Sequence, residues 1–318
     1  MPAIAASAPG KIILFGEHAV VYGRPAIAVP VEGVSARAVV MAEPLAKPGA
    51  IHLIAPDIDL DAYLSDLKIK HPLALAVEKT LATLDIQHPP AFTVRITSTI
   101  PLAAGLGSGA AVSVAIIRAV SAFLGQSLSE AQVSGLAYEV EQVYHGTPSG
   151  IDNTVIAYKM PVYFRRGQPI EILHVGKPFT IVIGDTGIKF PTAVAVSDVR
   201  KAWQANPDYF EALFDSAGEI ARTARQAIEN GAVSALGLLM YQNHLLLQQM
   251  GVSSPELDRL VEAARRAGAV GAKLSGGGRG GNMIALVDPG TAAQVEVGLQ
   301  NAGAVRTLVT EIRPASRS

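Results

Sequence analysis

The chain has 318 residues, a formal net charge of −1 and no cysteine. This length exceeds that of a usual single hydrophobic core, so it predicts two domains. Hydrophobic residues make up 49% of the chain and charged residues 17%, which excludes a disordered protein. The near-neutral charge gives no electrostatic reason to expect nucleic acid as a partner. The lack of cysteine excludes disulfides, thiolate metal sites and a cysteine nucleophile.

The sequence carries no pattern typical of export or membrane insertion. The N-terminus lacks a basic segment leading into an apolar core, so no signal peptide is predicted. The longest apolar stretch, from Ala110 to Leu124, is interrupted by Arg118 and is too short to span a bilayer. We therefore expect a cytoplasmic protein with no membrane partner.

The first half of the chain alternates short strands with helices. Strands are predicted at 11–15, 25–30 and 35–42, and alternation of apolar and polar residues predicts another at 92–96. An apolar helix is predicted from Ser108 to about Leu124. Ser129 and Gln132 form a capping-box pattern that begins a further helix, for which Gly146 is a plausible end.

The second half is predicted to be mostly helical, with a few strands. The helical region runs from Val199 to about Ala267, with breaks near Pro207, Gly231 and Pro255. Strands are predicted at 179–183, 282–287 and 305–312, and a helix at 291–301. This order indicates an α+β protein. We expect the domain boundary between residues 158 and 177, which gives domains 1–165 and 166–318.

The segment PLAAGLGSGAA, residues 101–111, places glycines just before an apolar helix. Glycine lets the backbone approach a ligand closely, and the unpaired N–H groups of a helix start attract phosphate. The segment also fits the dinucleotide pattern G-x-G-x-x-A, but Pro101 separates it from the preceding strand, and Glu130, at the expected acidic spacing, begins a helix. A tight turn packed on the helix is the alternative without a ligand.

A second glycine-rich segment, KLSGGGRGG, occupies residues 273–281. So many glycines cost chain entropy on folding, which favours a loop whose backbone shape is needed by a phosphate or a substrate. Arg279 would add a charge-assisted contact to a phosphate. A flexible surface loop is the alternative.

Five ionisable residues are candidates for chemistry. Glu141 lies near the C-terminal end of its predicted helix, where a carboxylate opposes the helix dipole and Mg²⁺ would compensate it. Asp152 follows a polar loop, where an Asx turn or a cap is the commoner use of aspartate. Lys11, Glu17 and His18 flank a short apolar strand, and alone they support only a weak functional hypothesis. An exposed glutamate is an equally good interpretation of Glu141.

Together these segments resemble the GHMP superfamily of kinases. PGKIILFGEHAVVYGRPAIA, residues 9–28, and EQVYHGTPSGIDN, residues 141–153, resemble its mevalonate kinases in particular, and KLSGGGRGGNMIAL resembles the third motif of the superfamily. The resemblance implies a two-domain α+β fold. Its N-terminal nucleotide-binding domain has a left-handed βαβ unit, and its C-terminal GHMP domain is ferredoxin-like.

The resemblance also implies roles for individual residues. Asp152 would be the base or orienting group for the acceptor hydroxyl, with Lys11 paired to it and to the transferred phosphoryl group. Glu141 would bind Mg²⁺. The residues expected at the ATP phosphates are Pro101, Ala104, Gly105, Leu106, Gly107, Ser108, Gly109 and Ala110. The residues expected at mevalonate are Glu17, His18, Thr192, Gly276 and Gly277, and Gly276–Gly281 would close over the phosphates and substrate.

The sequence departs from the family pattern at two places. Many members have a second serine after Gly-Leu-Gly that can contact the metal, and this chain has Gly109 there. The third motif often reads Gly-Ala-Gly-Gly-Gly-Gly, and here Gly277 and Arg279 replace two of its positions. The first departure affects metal ligation and the second affects phosphate contact.

The implied reaction converts ATP and mevalonate to ADP and 5-phosphomevalonate, in a protein that the resemblance suggests is a homodimer. The alternatives within the superfamily are a kinase of phosphomevalonate or of the 3-hydroxyl of mevalonate, and the ATP-dependent decarboxylase. Lys11 and the Gly-Glu-His string fit the kinase better than the decarboxylase. A catalytically inactive binding module is disfavoured because Lys11, Glu141 and Asp152 occur together.

Overall fold

The computed structural model describes residues 3–101, 105–145, 148–169 and 171–314. Its strands are β1 (Ile4–Phe15), β2 (Ala26–Ala42), β3 (Ile51–Ala55), β4 (Leu60–Tyr63), β5 (Phe92–Ser98), β6 (Val162–Phe164), β7 (Glu171–Ile172), β8 (Phe179–Asp185), β9 (Gly271–Ser275), β10 (Asn282–Val287) and β11 (Arg306–Ile312). Its helices are α1 (Pro72–Thr83), α2 (Ser108–Phe123), α3 (Glu130–His145), α4 (Ile151–Tyr158), α5 (Thr192–Ala205), α6 (Pro207–Glu229), α7 (Val233–Gln249), α8 (Pro255–Arg266) and α9 (Ala292–Asn301).

The chain forms two compact units. Of the described residues, the first contains 3–11, 34–101, 106–145 and 148–159, and the second contains 12–33, 105, 160–169 and 171–314. β1 and β2 therefore each run from one unit into the other. The division into domains 1–165 and 166–318 stays a prediction.

The first unit is built on strands in the order β4-β3-β5-β2. β2 is antiparallel to β5, from Ala36 opposite Ser98 to Ala42 opposite Phe92, and β3 is parallel to β5. In this half of β2, buried and more exposed residues alternate, as in a strand with one face on the core. α2 packs on β5, and α1, α3 and α4 contact α2.

The second unit contains an antiparallel sheet in the order β11-β8-β10-β9. Along the chain the elements run strand, helices, strand, strand, helix, strand, which is the ferredoxin-like arrangement expected from the sequence. α7 and α8 pack on β9, and α9 packs on β8 and β11. β6 pairs with Ala26–Ala28 of β2 and with β7.

Local sequence explains where several helices begin and end. α8 starts at Pro255 after the N-cap Ser254, whose hydroxyl accepts the Leu257 N–H, and it ends with two arginines. The predicted capping box is confirmed, because Ser129 and Gln132 exchange backbone and side-chain hydrogen bonds before α3. In the described residues, no helix combines the length and apolar character needed to cross a membrane.

Three sequence predictions of local structure need correction. β1 begins at Ile4 rather than Lys11, and β2 is continuous where two strands were predicted. The residues after Gly150 were predicted as a loop, but α4 begins at Ile151. Gly146, the predicted end of α3, lies outside the described residues.

Candidate active site

The start of α2 and the side chain of Lys11 are in direct contact within the first unit. Gly107, with φ +73°, is the N-cap of α2, and the first-turn N–H groups follow it. A Cβ at Gly107 would lie 2.9 Å from Cγ of Lys11, so only glycine allows this approach. The Lys11 N–H also donates to the Leu106 carbonyl at 2.9 Å. The lysine is thereby held beside a helix start that attracts anions.

The remaining residues predicted at the ATP phosphates have different surroundings. Leu106 and Ala110 are buried, Pro101 is half-buried, and Ala104 lies outside the described residues. Gly109 has open space on the side where a Cβ would stand. Ser108 is the first residue of α2, and Gly107 is the N-cap before it.

Lys11 and Asp152 form an ion pair with an N–O distance of 3.0 Å. The Lys11 side chain is 7% exposed and the Asp152 side chain 30% exposed, so the carboxylate retains access to a ligand. Asp152 lies in the first turn of α4, where the helix dipole stabilises a negative charge. The pairing expected from the family resemblance is present in this geometry.

Glu141 is a second carboxylate in the same unit, in the last turns of α3. Burial, together with the negative charge of Asp152, raises its pKa to about 8, although Lys11 opposes the shift. A carboxylate at a helix C-terminus also opposes the helix dipole. The ionised form of Glu141 therefore needs an additional positive charge nearby.

The described residues contain no group of three or more His, Cys, Asp or Glu side chains arranged to hold a metal ion. A divalent cation at Glu141 would therefore take most of its ligands from phosphate oxygens and water. Mg²⁺ accepts such a set, because it is bound by few carboxylates and keeps several waters.

The turn after β1 belongs to the second unit. Glu17 is 2% exposed and forms an ion pair with Lys273 of β9, which is fully buried. His18 is 5% exposed, and its Nε2 lies 3.1 Å from the Gly277 carbonyl oxygen. Burial lowers the pKa of His18 to about 4, so the imidazole is neutral near pH 7. His18 therefore gives this turn of the second unit a neutral polar group.

The second glycine-rich segment, residues 273–281, lies beside the start of α5. The Thr192 hydroxyl lies against the backbone of Gly277, so two residues predicted at the substrate are neighbours, and Gly276 adjoins them in the chain. Arg279 was predicted to contact a phosphate. Its guanidinium instead pairs with Asp198 at 2.5 Å and lies over the ring of Phe190 at 5.4 Å. In this structure its charge is therefore already balanced.

Sequence reasoning missed two charged residues of the second unit, Lys273 and Asp198. Lys273 was included in the third motif but was not singled out. A signal was available, because a lysine between Ala272 and Leu274 interrupts an apolar strand, and a buried ammonium requires a partner. Asp198 carried no such signal, because an aspartate on a helix surface is ordinary.

Comparison with known proteins agrees with these observations. The model of the GHMP kinases N terminal domain matches residues 71–159, and that of the GHMP kinases C terminal domain matches residues 224–305. A curated mevalonate kinase from Pyrococcus horikoshii is 37% identical, over 99% of this chain and 97% of the relative. The chain belongs to the GHMP kinase family. The two-domain α+β fold implied by the resemblance is thereby confirmed.

Solved structures of GHMP kinases superpose on nearly the whole chain. The L. major mevalonate kinase in complex with R-mevalonate has a TM-score of 0.84 at 30% identity, covering 98% of this chain and 97% of that one. The Methanococcus jannaschii mevalonate kinase has a TM-score of 0.82 at 27% identity and covers 99% of both chains. The likeness thus extends over both units.

Proposed function

We propose that the chain transfers the γ-phosphoryl group of ATP to the primary hydroxyl of mevalonate, giving 5-phosphomevalonate and ADP. The observation that carries this proposal is the Lys11–Asp152 pair, 3.0 Å long, beside the N-terminus of α2. It joins a carboxylate, a cation and a helix start, which are the groups needed to orient a hydroxyl and stabilise a phosphoryl group. The similarity to mevalonate kinases over nearly the full length supports the choice of alcohol.

Asp152 acts on the acceptor alcohol. In the reaction, a bond forms between the alcohol oxygen and the γ-phosphorus, and the bond from that phosphorus to the β–γ bridging oxygen breaks. The hydroxyl proton passes to Asp152 or, where Asp152 only orients the hydroxyl, to solvent. A carboxylate that is 30% exposed and paired with a lysine is accessible for either role.

Lys11 and the first turn of α2 act on the transferred group. Phosphoryl transfer depends mainly on positioning and on stabilising the charge of the phosphoryl oxygens. The methylene chain of Lys11 lies against Gly107, at the start of α2, and its ammonium pairs with the Asp152 carboxylate, so in this proposal one side chain serves both the phosphate and the acceptor hydroxyl. The helix N–H groups add donors that are already in place before the substrate binds.

Glu141 is the proposed protein ligand of Mg²⁺. The residues present fit this ion, because Glu141 is a half-buried carboxylate whose pKa is raised by burial and by Asp152. When bound, Mg²⁺ neutralises charge on the β- and γ-phosphates. Gly109 has no side chain to offer at the position of the family's hydroxyl ligand, so Glu141 is the single side-chain ligand in this proposal.

The second unit supplies the proposed mevalonate contacts. His18 presents a neutral imidazole, and Thr192 and Gly277 lie side by side. A site that hydrogen-bonds a polar substrate rejects analogues which leave its buried groups unpaired. We therefore assign His18, Thr192, Gly276 and Gly277 to substrate recognition.

A substrate panel tests the proposal. The purified chain is incubated with ATP and Mg²⁺ and with mevalonate, 5-phosphomevalonate or homoserine, while ADP and CO₂ are measured and products are identified by ³¹P NMR. We expect ADP and 5-phosphomevalonate from mevalonate without CO₂. A 3-phosphate, turnover of 5-phosphomevalonate alone, or release of CO₂ would assign the chain to another branch of the family.

The proposed partners are ATP and mevalonate. A homodimer and a cytoplasmic location stay predictions. Light scattering of the purified chain would test the first, and cell fractionation the second.

A further inference from the structure

A fully buried lysine lies in the middle of β9. Lys273 has 0% exposure, and its ammonium pairs with the Glu17 carboxylate and donates to the Leu274 carbonyl at 2.6 Å. Removing an ammonium from water is costly unless it is paired and hydrogen-bonded. Burial lowers the pKa of Lys273, and the Glu17 carboxylate opposes that shift. This pair links two segments that are 256 residues apart.

The segment on the Glu17 side is a strained turn. Gly16 has φ +91°, and a Cβ there would lie 2.3 Å from the Pro25 carbonyl oxygen. His18 has φ +58°, a region that non-glycine residues seldom adopt, at a cost of roughly 1–3 kcal/mol. Glu17 lies between them. Such a backbone persists only when surrounding contacts hold it, so the contacts of Glu17 bear directly on the orientation of His18.

β9 and the loop after it contact this turn and the end of β1 at three successive points. Lys273 pairs with Glu17, and the Ser275 hydroxyl donates to the Ile13 carbonyl at 2.7 Å. The Gly277 carbonyl oxygen then accepts a hydrogen bond from His18 Nε2 at 3.1 Å. Of these three contacts, only the Lys273–Glu17 pair is between charged groups, and it is the most deeply buried.

We infer that Glu17 and Lys273 form a buried positioning pair that fixes the His18 imidazole for substrate binding, and that Glu17 acts through this pair rather than by contacting substrate. The substrate part of this inference rests on the proposed function. Lys273 is thereby a positioning residue. Its ammonium is too deeply buried to contact a phosphate, and Glu17, at 2% exposure, offers almost no surface to a ligand.

The test replaces the pair as a unit. Removing one partner of a buried pair leaves an uncompensated charge, whereas an apolar pair of similar volume is often tolerated. The double variant Glu17→Leu with Lys273→Met, called the apolar pair, is therefore compared with wild type. The same double change is also made in the His18→Asn protein and compared with His18→Asn alone. The matched control is Glu139→Leu with Lys79→Met, which removes a partly exposed Glu–Lys pair in the first unit.

We expect the apolar pair to raise the KM for mevalonate by roughly 10–100-fold, the usual cost of misplacing a binding group by about 1 Å, with the KM for ATP unchanged. In the His18→Asn background it should raise the KM no further, because both changes act through one group. The imidazole NMR signals of His18, assigned by their loss in His18→Asn, should shift in the apolar-pair variant. The control should show none of these effects.

The inference would be overturned if the apolar pair raised the KM for mevalonate equally in the wild-type and the His18→Asn backgrounds. Unchanged His18 NMR signals in the apolar-pair variant would also overturn it. If that variant does not fold, the same measurements are made on Glu17→Asp, which keeps the charge but shortens the side chain. The NMR measurement needs no substrate. A chain that does not phosphorylate mevalonate would therefore refute the proposed function without deciding the positioning role.

Discussion

The two charged clusters of the molecule differ in how their charges are balanced. In the first unit, Lys11 is accompanied by two carboxylates, Asp152 and Glu141, and the pKa of Glu141 is raised by burial and then by the negative charge of Asp152, while Lys11 opposes the shift. In the second unit, Glu17 and Lys273 form an ion pair in which both side chains are buried. A cluster with unbalanced charge is suited to binding an ion, whereas a balanced and buried cluster is suited to holding a shape.

This difference assigns separate tasks to the two clusters. The first cluster gains most when Mg²⁺ and phosphate complete its charge balance. The second cluster presents only neutral groups, such as the His18 imidazole. Mutations in the first should therefore change catalysis and metal dependence, and mutations in the second should change substrate affinity.

The largest effect is expected at Asp152. Asp152→Asn should lower kcat by about 10²–10⁴-fold, the usual contribution of a general base or orienting group, while ATP binding stays nearly intact. Turnover is measured at saturating substrates and ATP affinity by calorimetry. Asp208→Asn is the control, because Asp208 also lies in the first turn of a helix. Turnover close to wild type in Asp152→Asn would remove the residue from the mechanism.

Glu141→Gln should raise the Mg²⁺ concentration needed for half-maximal activity. Loss of even an outer-shell partner costs about 10–100-fold in metal affinity, so at least about a tenfold increase is expected for a direct ligand. Ser108→Ala should act on ATP affinity without changing the Mg²⁺ requirement. If Ser108→Ala raised that requirement as much as Glu141→Gln, the serine hydroxyl would be a metal ligand.

His18→Asn should raise the KM for mevalonate by about 10-fold or more and change the KM for ATP much less. Asparagine adopts positive φ more readily than most residues, so the variant keeps the backbone of the turn. His52→Asn is the control, because His52 lies on β3 of the first unit. A larger effect on ATP than on mevalonate would place His18 at the nucleotide instead.

The smallest effect concerns stability in mild acid. Because the pKa of His18 falls from 6.5 to about 4 on folding, the unfolded chain binds more protons between these values, and stability is lost as the pH decreases. From pH 7 to pH 6 this one group accounts for about 0.7 kcal/mol. Urea unfolding should show a smaller pH-dependent loss in His18→Asn. Equal losses in both proteins would mean that His18 is not buried as a neutral group.

The sequence predicted the local features well because their causes are local. The glycines before α2, the capping box at Ser129 and the strand at 282–287 each depend on neighbouring residues. The family resemblance implied the pairing of Lys11 with Asp152, and the two side chains lie 3.0 Å apart. The helix after Gly150 was missed because a Pro-Ser-Gly loop precedes it.

What the sequence could not supply were pairs made by distant residues. The family resemblance placed Glu17 at the substrate. Nothing near Glu17 in the chain indicates that it pairs with a buried lysine at position 273. Arg279 was expected at a phosphate because it lies in a glycine-rich segment. Its partner Asp198 could not be predicted, because it lies 81 residues away and belongs to no motif. In both cases no local feature of the sequence indicated the charged partner that the structure places beside the residue.

The contact between Gly107 and Lys11 restricts how this protein can change over time. A glycine in a phosphate-binding loop is usually explained by the ligand, but here the methylene chain of Lys11 fills the space that a Cβ would need. A side chain at 107 would collide with Lys11 and with Ile156, and would need a backbone at φ +73°, even before a nucleotide binds. Position 107 is therefore constrained together with Lys11 and Ile156 during evolution, although the three residues are far apart in the gene.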